Sequence, residues 1–191
     1  GVNDAAITIS TDATNGPVPP TAIVTSPGIG ALLFSSISLS TSDAETFYQA
    51  SPGLAAAVHL SFSLNRDLSP GETITLELGG FKSDLAEDVL TPTENSQLRY
   101  ARWVQGTQEL VLTADFVVIA SMRVELALQE ETFGLKLPSA GIESGSTIFK
   151  FSTDSKAGPI DRITLSHNIA VGALVNTSLE FLYPMAGHVT A

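Results

Sequence analysis

From Val58 to Leu64 the chain reads Val58-His59-Leu60-Ser61-Phe62-Ser63-Leu64, with an apolar residue at every second position. A period of two puts Val58, Leu60, Phe62 and Leu64 on one face, which suits a half-buried strand and excludes an amphipathic helix. The turn residues Asp67-Leu68-Ser69-Pro70-Gly71 follow, and Glu72-Thr73-Ile74-Thr75-Leu76-Glu77-Leu78 alternates again, so the two segments read as a hairpin with a Pro-Gly turn. Arg99–Val104, Glu109–Thr113, Met122–Leu128 and Phe133–Leu137 are further strand candidates. In the third of these Met122, Val124, Leu126 and Leu128 face inward, while Arg123 and Glu125 face out. A helix fits only as a short turn near Ser83–Val89. Short alternating strands spaced by turn residues predict an all-β fold, an antiparallel Ig-like β-sandwich.

The second constraint is an internal repeat. Residues Ile7–Leu39 align without a gap on Phe149–Phe181, at a fixed offset of 142, the separation of Ile7 from Phe149. Ser10-Thr11-Asp12 meets Ser152-Thr153-Asp154, Gly16-Pro17 meets Gly158-Pro159, Gly30-Ala31-Leu32 meets Gly172-Ala173-Leu174, and Ser36 meets Ser178. Between these identities apolar positions match: Val18 with Ile160, Ile23 with Leu165, Ile29 with Val171, Ile37 with Leu179. More loosely, Pro52–Ala57 matches Ala186–Ala191. The chain thus divides into a linker and strand segment over 1–33, a main β-sandwich over 34–138, and a second copy of the segment with the start of a next unit over 139–191. The fold carries a repeated extended segment at both ends, either as a slice of a tandem-repeat protein or as an end that completes a neighbouring copy.

Composition narrows the function classes. Only 15% of residues are charged, and the net charge is −11 with just nine Lys and Arg, which argues against nucleic acid and against an anionic membrane surface. There is no Cys, hence neither a disulfide framework nor a thiolate site. No signal peptide or membrane-spanning run is visible, and the start at Gly1 rather than Met suggests a processed or partial product.

Each candidate for chemistry has a plainer structural explanation that outweighs it. The two Ser-Thr-Asp motifs resemble ion ligands or a nucleophile site, but they read better as strand ends entering an Asx-type turn. His59, His167 and His188 have no metal-ligand spacing, and no Gly-x-Ser-x-Gly elbow supports a triad. Asp84, Glu87, Asp88 and Glu94 form an acidic loop that could take Ca²⁺, yet it lacks EF-hand spacing and fits a solvated loop. Gly28-x-Gly30 has no Lys and is no phosphate cradle. Trp103, near Tyr100 and Phe81 in sequence, suits a core anchor better than a sugar-stacking platform. Asn176-Thr177-Ser178 is the single N-glycosylation sequon, and the Pro/Thr/Ser-rich stretch Pro17–Pro27 makes Thr21, Thr25 and Ser26 candidates for O-linked sugar.

The succession Leu60–Leu64, Leu68–Glu72, Ile74–Phe81, Ala101-Arg102-Trp103 and Leu110–Thr113, with its serial Ser-Thr-Asp…Gly-Pro linkers, resembles tandem Ig-like β-sandwich repeats of very large secreted or surface proteins of aquatic microbial eukaryotes. It is also similar to subunits of glycosylated extracellular freshwater filaments akin to flagellar hairs. That resemblance implies a filament or surface-coat role outside the cell, with no catalytic residue to carry over. The expectation is therefore a non-enzymatic structural subunit without a cofactor, polymerising head-to-tail with copies of itself and not inserting in a membrane. Phe34, Ile37 and Leu39 on one side and Leu179, Phe181 and Leu182 on the other are the expected assembly residues. The alternative is an adhesin-like or carbohydrate-binding module at a cell surface.

Overall fold

The computed structural model describes residues 8–22, 28–40, 51–85, 89–167 and 169–172. In chain order the strands are β1 (Thr8–Thr11), β2 (Val18–Ala22), β3 (Leu32–Ser40), β4 (Ala57–Leu64), β5 (Thr73–Leu78), β6 (Lys82–Ser83) and β7 (Leu90–Pro92). They continue with β8 (Tyr100–Val104), β9 (Glu109–Thr113), β10 (Val124–Leu128), β11 (Leu135–Lys136), β12 (Phe149–Thr153) and β13 (Ile160–Thr164). One helical turn, α1 (Glu130–Phe133), precedes β11. The fold is all-β, and every pairing among these strands is antiparallel.

Two sheets face each other. One has the order β10-β4-β3 and the other β13-β12-β5-β9-β8-β7. Period-two alternation sends Val58, Leu60, Phe62 and Leu64 of β4 and Val124, Leu126 and Leu128 of β10 into the shared core. From the larger sheet come Ile74, Leu76 and Leu78, Trp103, Leu110 and Leu112, and Phe149 and Phe151. The Phe62 and Phe151 rings lie 5.4 Å apart between centroids, and Phe81 and Phe149 are 5.8 Å apart, so aromatic contacts stitch β12 into the centre of the core. Trp103 is completely buried, as the sequence led us to expect, and its indole N–H donates to Gln105 Oε1 at 2.8 Å.

Five expectations need correction. Val58–Leu64 and Thr73–Leu78 do not form a hairpin: β4 pairs with β3 and β10, and β5 pairs with β9 and β12. The segment between them crosses from one sheet to the other. Leu68 is buried midway and bonds to Val118 in both directions, at 3.0 and 2.9 Å. The helical turn lies at Glu130–Phe133 and not near Ser83–Val89, where Lys82–Ser83 pairs with β11 instead; residues 86–88 of that stretch lie outside the described set. The turn ends at Gly134, whose φ of 52° is left-handed, so the strand expected from Phe133 starts only at Leu135. Met122 is exposed, since β10 begins at Val124 after a turn in which Ser121 has φ 64°. Finally, the sandwich does not stop at residue 138, because β12 and β13 belong to the larger sheet and fill its core.

Candidate assembly interface

The repeat identified in the sequence has a structural counterpart in two hairpins. In the first, Thr8 pairs with Ala22, Ile9 with Thr21 and Thr11 with Val18, with an irregularity between Ile9 and Thr11. In the second, Lys150 pairs with Thr164, Phe151 with Ile163 and Thr153 with Ile160, with the irregularity between Phe151 and Thr153. Every partner, and the irregularity itself, is displaced by the same offset as the sequence match. The turns agree as well. Val18 N–H donates to Thr11 Oγ1 at 3.3 Å and Ile160 N–H to Thr153 Oγ1 at 3.1 Å. Gly16 N–H reaches Ala13 O at 3.1 Å and Gly158 N–H reaches Ser155 O at 3.2 Å. The shared Thr, Gly and Pro residues are those that hold this turn, which accounts for their identity in both copies.

What differs is the surroundings. β12 is hydrogen-bonded along its outer edge to β5, Phe149 to Leu78 through Thr153 to Ile74. The Asp154 carboxylate accepts the Thr73 N–H, and Asp154 N–H returns a bond to Thr73 O at 3.2 Å. The buried Glu72 carboxylate accepts Ser69 N–H at 2.8 Å and Lys156 N–H at 2.9 Å, so it ties the β5 entry to the second hairpin's turn. Ser155 Oγ donates to Asp67 O at 3.0 Å. On the outer face Glu77 meets Lys150 Nζ at 2.8 Å and Arg162 Nη1 at 2.9 Å, and Arg162 also pairs with Glu109. β1 pairs only with β2 among the described strands, and no described strand lies along its other edge. β2 contains Pro19 and Pro20, which have no N–H, and this marks it as an outer strand.

The segment entering the sandwich is held against the second turn. Asn65 Oδ1 accepts Ala31 N–H at 2.6 Å, Asn65 Nδ2 donates to Ile29 O at 3.2 Å, and Gly30 N–H donates to Pro159 O at 3.2 Å. The approach is backbone on backbone. A Cβ on Gly30 would sit 2.1 Å from Gly158 O, and one on Gly158 would sit 2.8 Å from Gly30 N. Glycine at both positions is a steric requirement.

Of the expected assembly residues, Phe34 is exposed and stacks under the Arg123 guanidinium at 4.6 Å. Leu39 is half-buried against the core, and Ile37 is buried within it, which reassigns Ile37 from a contact to a core residue. Leu179, Phe181 and Leu182 lie outside the described residues, as do Asn176, Thr25 and Ser26. Thr21 is exposed in β2. Among the described strands β3 is nevertheless at the edge of its sheet, with no charged residue from Leu32 to Ser40 and with Leu33 and Phe34 exposed. The opposite case is β13, an edge that carries Asp161 and Arg162.

His59 Nε2 lies 2.8 Å from Ser40 Oγ on the outer face of the smaller sheet. His167 is buried edge-on against Phe149 at 4.7 Å, with its Nε2 3.0 Å from Ser146 O. No group of three or more metal-ligating side chains occurs among the described residues. Asp84 of the acidic loop is paired with Lys136 at 2.7 Å, and Glu87 and Asp88 lie outside the described set. In the first Ser-Thr-Asp motif Thr11 accepts the turn hydrogen bond, and in the second Thr153 and Asp154 make turn and strand contacts. No helix among the described residues is long and apolar enough to cross a membrane. No protein-family model matches the chain, and the searches of curated proteins and of solved structures gave no match either.

Proposed function

We propose that the chain is a structural, non-catalytic module of an extracellular, glycosylated filament or surface coat, in which Ig-like sandwiches follow one another head-to-tail. The observation that carries this reading is the pair of hairpins with one register, one closing a sandwich and the other with no described strand along β1. Such a contact joins two different surfaces, so it propagates as an open line and does not close as a two-fold dimer. The acidic charge favours solubility of a protein held outside the cell, and the sequon at Asn176 fits a secretory route. Negative-stain imaging of native material, with glycopeptide mass spectrometry at Asn176, is the test. Thin linear fibres of regular repeat are expected; dispersed particles at high concentration count against the filament. A sugar-binding module would want an exposed aromatic platform, and Trp103 is wholly buried.

A further inference from the structure

We infer that β1–β2 is the closing hairpin of a second sandwich of this same kind, and that β1 docks on that sandwich's counterpart of β5. The inference deepens the head-to-tail reading by naming the joint, and it rests on that reading for its partner.

Four observations point to this occupant. The second hairpin shows where a hairpin of this register goes: onto β5, with Lys150 opposite Glu77, Phe151 opposite Leu76 and Ser152 opposite Thr75. Transposed by the repeat, Thr8, Ile9 and Ser10 take those three positions, and the apolar Ile9 falls where Phe151 fills the core. The docking contacts also carry over. Asp12 stands at the position of Asp154, whose carboxylate and N–H bond to Thr73. Glu72 binds the second hairpin through a main-chain N–H, that of Lys156, so Thr14 can supply the same donor. Moreover, among the described strands only the β1 edge of the first hairpin suits a new strand, since Pro19 and Pro20 blunt β2. That edge is the counterpart of the one that β12 uses. Finally, a lone two-stranded hairpin is marginal in water, and Val18 is 44% exposed where its counterpart Ile160 is 6% exposed. Strand addition to a sandwich edge supplies both the ladder and the missing cover.

The test uses the full chain in two forms. In the first, residues 149–164 are replaced by residues 7–22, and Cys is placed at Thr75 and at Ser152, which is Ser in both hairpins. With no native Cys, any disulfide reports the register directly. The graft should close this bond within about threefold of the rate of the ungrafted Thr75→Cys/Ser152→Cys chain. A graft of shuffled hairpin sequence should be at least about tenfold slower. In the second form, a chain carrying Ser10→Cys is mixed with one carrying Thr75→Cys, Phe149→Asp and Phe151→Asp, whose own β12 is expelled. A disulfide-linked dimer is expected, and adding Ile9→Asp to the donor should abolish it. A graft that oxidises at the shuffled rate, or a mixture that gives no dimer, overturns the inference. Both readouts are independent of fibres: absence of fibres with a positive graft and dimer would sink the filament and leave the hairpin joint standing.

Discussion

Thr11 and Thr153 accept the same turn hydrogen bond in the two hairpins, yet Thr11 is exposed and Thr153 is buried. The two hairpins share register, irregularity and turn. They part in what lies against them and in the residues between the shared ones, Ile9 and Pro19-Pro20 standing where the second has Phe151 and Asp161-Arg162. Local sequence is therefore sufficient for the hairpin's backbone, while its stability comes from β5, the Phe62–Phe151 contact and the Glu72 carboxylate. A repeated motif in this chain specifies a shape, and the sandwich decides whether that shape is held firmly.

Substitutions made in pairs, one per hairpin, can break that comparison. The largest difference is expected in the aromatic core. Phe151→Ala should destabilise the sandwich by about 3–5 kcal/mol, through lost burial and an unfilled cavity. Val18→Ala in the exposed hairpin should stay within about 0.5 kcal/mol. Urea denaturation followed by Trp103 fluorescence measures both, and a Phe151→Ala loss under about 1 kcal/mol would show that β12 is not a core strand.

A smaller split is expected at the turns. Gly158→Ala forces a Cβ into the backbone of Ile29 and Gly30 and should cost about 1–3 kcal/mol. A Cβ on Gly16 meets nothing within 4 Å, so Gly16→Ala strains only its own hairpin and should leave the unfolding midpoint unchanged. Equal effects at both positions would mean that the Gly30–Gly158 contact has no energetic weight.

Asp154→Ala removes the carboxylate that accepts Thr73 N–H and should cost about 1–2 kcal/mol. Asp12→Ala should be silent in an isolated chain and should become costly once β1 is docked, a change readable by comparing monomer with assembled material. The smallest effect belongs to the Glu77, Lys150 and Arg162 cluster. Arg162→Met should cost about 0.5 kcal/mol at low salt, because Arg162 is more than half exposed, and the loss should shrink in molar salt. A loss unchanged by salt would assign the effect to packing of the Arg stem.

Much of this was legible in the sequence, for identifiable reasons. Alternation marks the strand faces because a pleat has period two, and the repeat is visible because Thr11 and Gly16 make the same turn contacts as Thr153 and Gly158. Which sheet a strand joins was not legible. β4 and β5 both bury alternate residues toward one core, so a hairpin and a crossing between sheets leave the same pattern. The one available signal was Leu68, an apolar residue in the middle of a supposed surface turn. The extent of the sandwich is hidden by the likeness of the second hairpin to the exposed first one, and its one signal is that Phe149 and Phe151 stand where the first copy has only Ile7 and Ile9. The Gly30–Gly158 approach depends on residues far apart in the chain, and no local pattern encodes it.

That approach also sets how the protein would carry a load. Gly30 is bonded at Pro159, beside the first residue of β13, and past the strand's other end Leu165 is buried with its N–H on Phe149 O, while Val171 further on is bonded to Ile142. The two anchor points, at Pro159 and at Leu165, are thus separated by the length of β13, roughly 16 Å at about 3.3 Å per residue. Tension between Gly30 and Leu165 runs along the strand, so the β12–β13 bonds are sheared together instead of being peeled one by one. Rupture then requires several bonds to fail at once, and β12 behind them is anchored by two buried phenylalanines. A chain without a single cysteine to lock it thereby gains resistance to pulling from the direction in which its strands are laid.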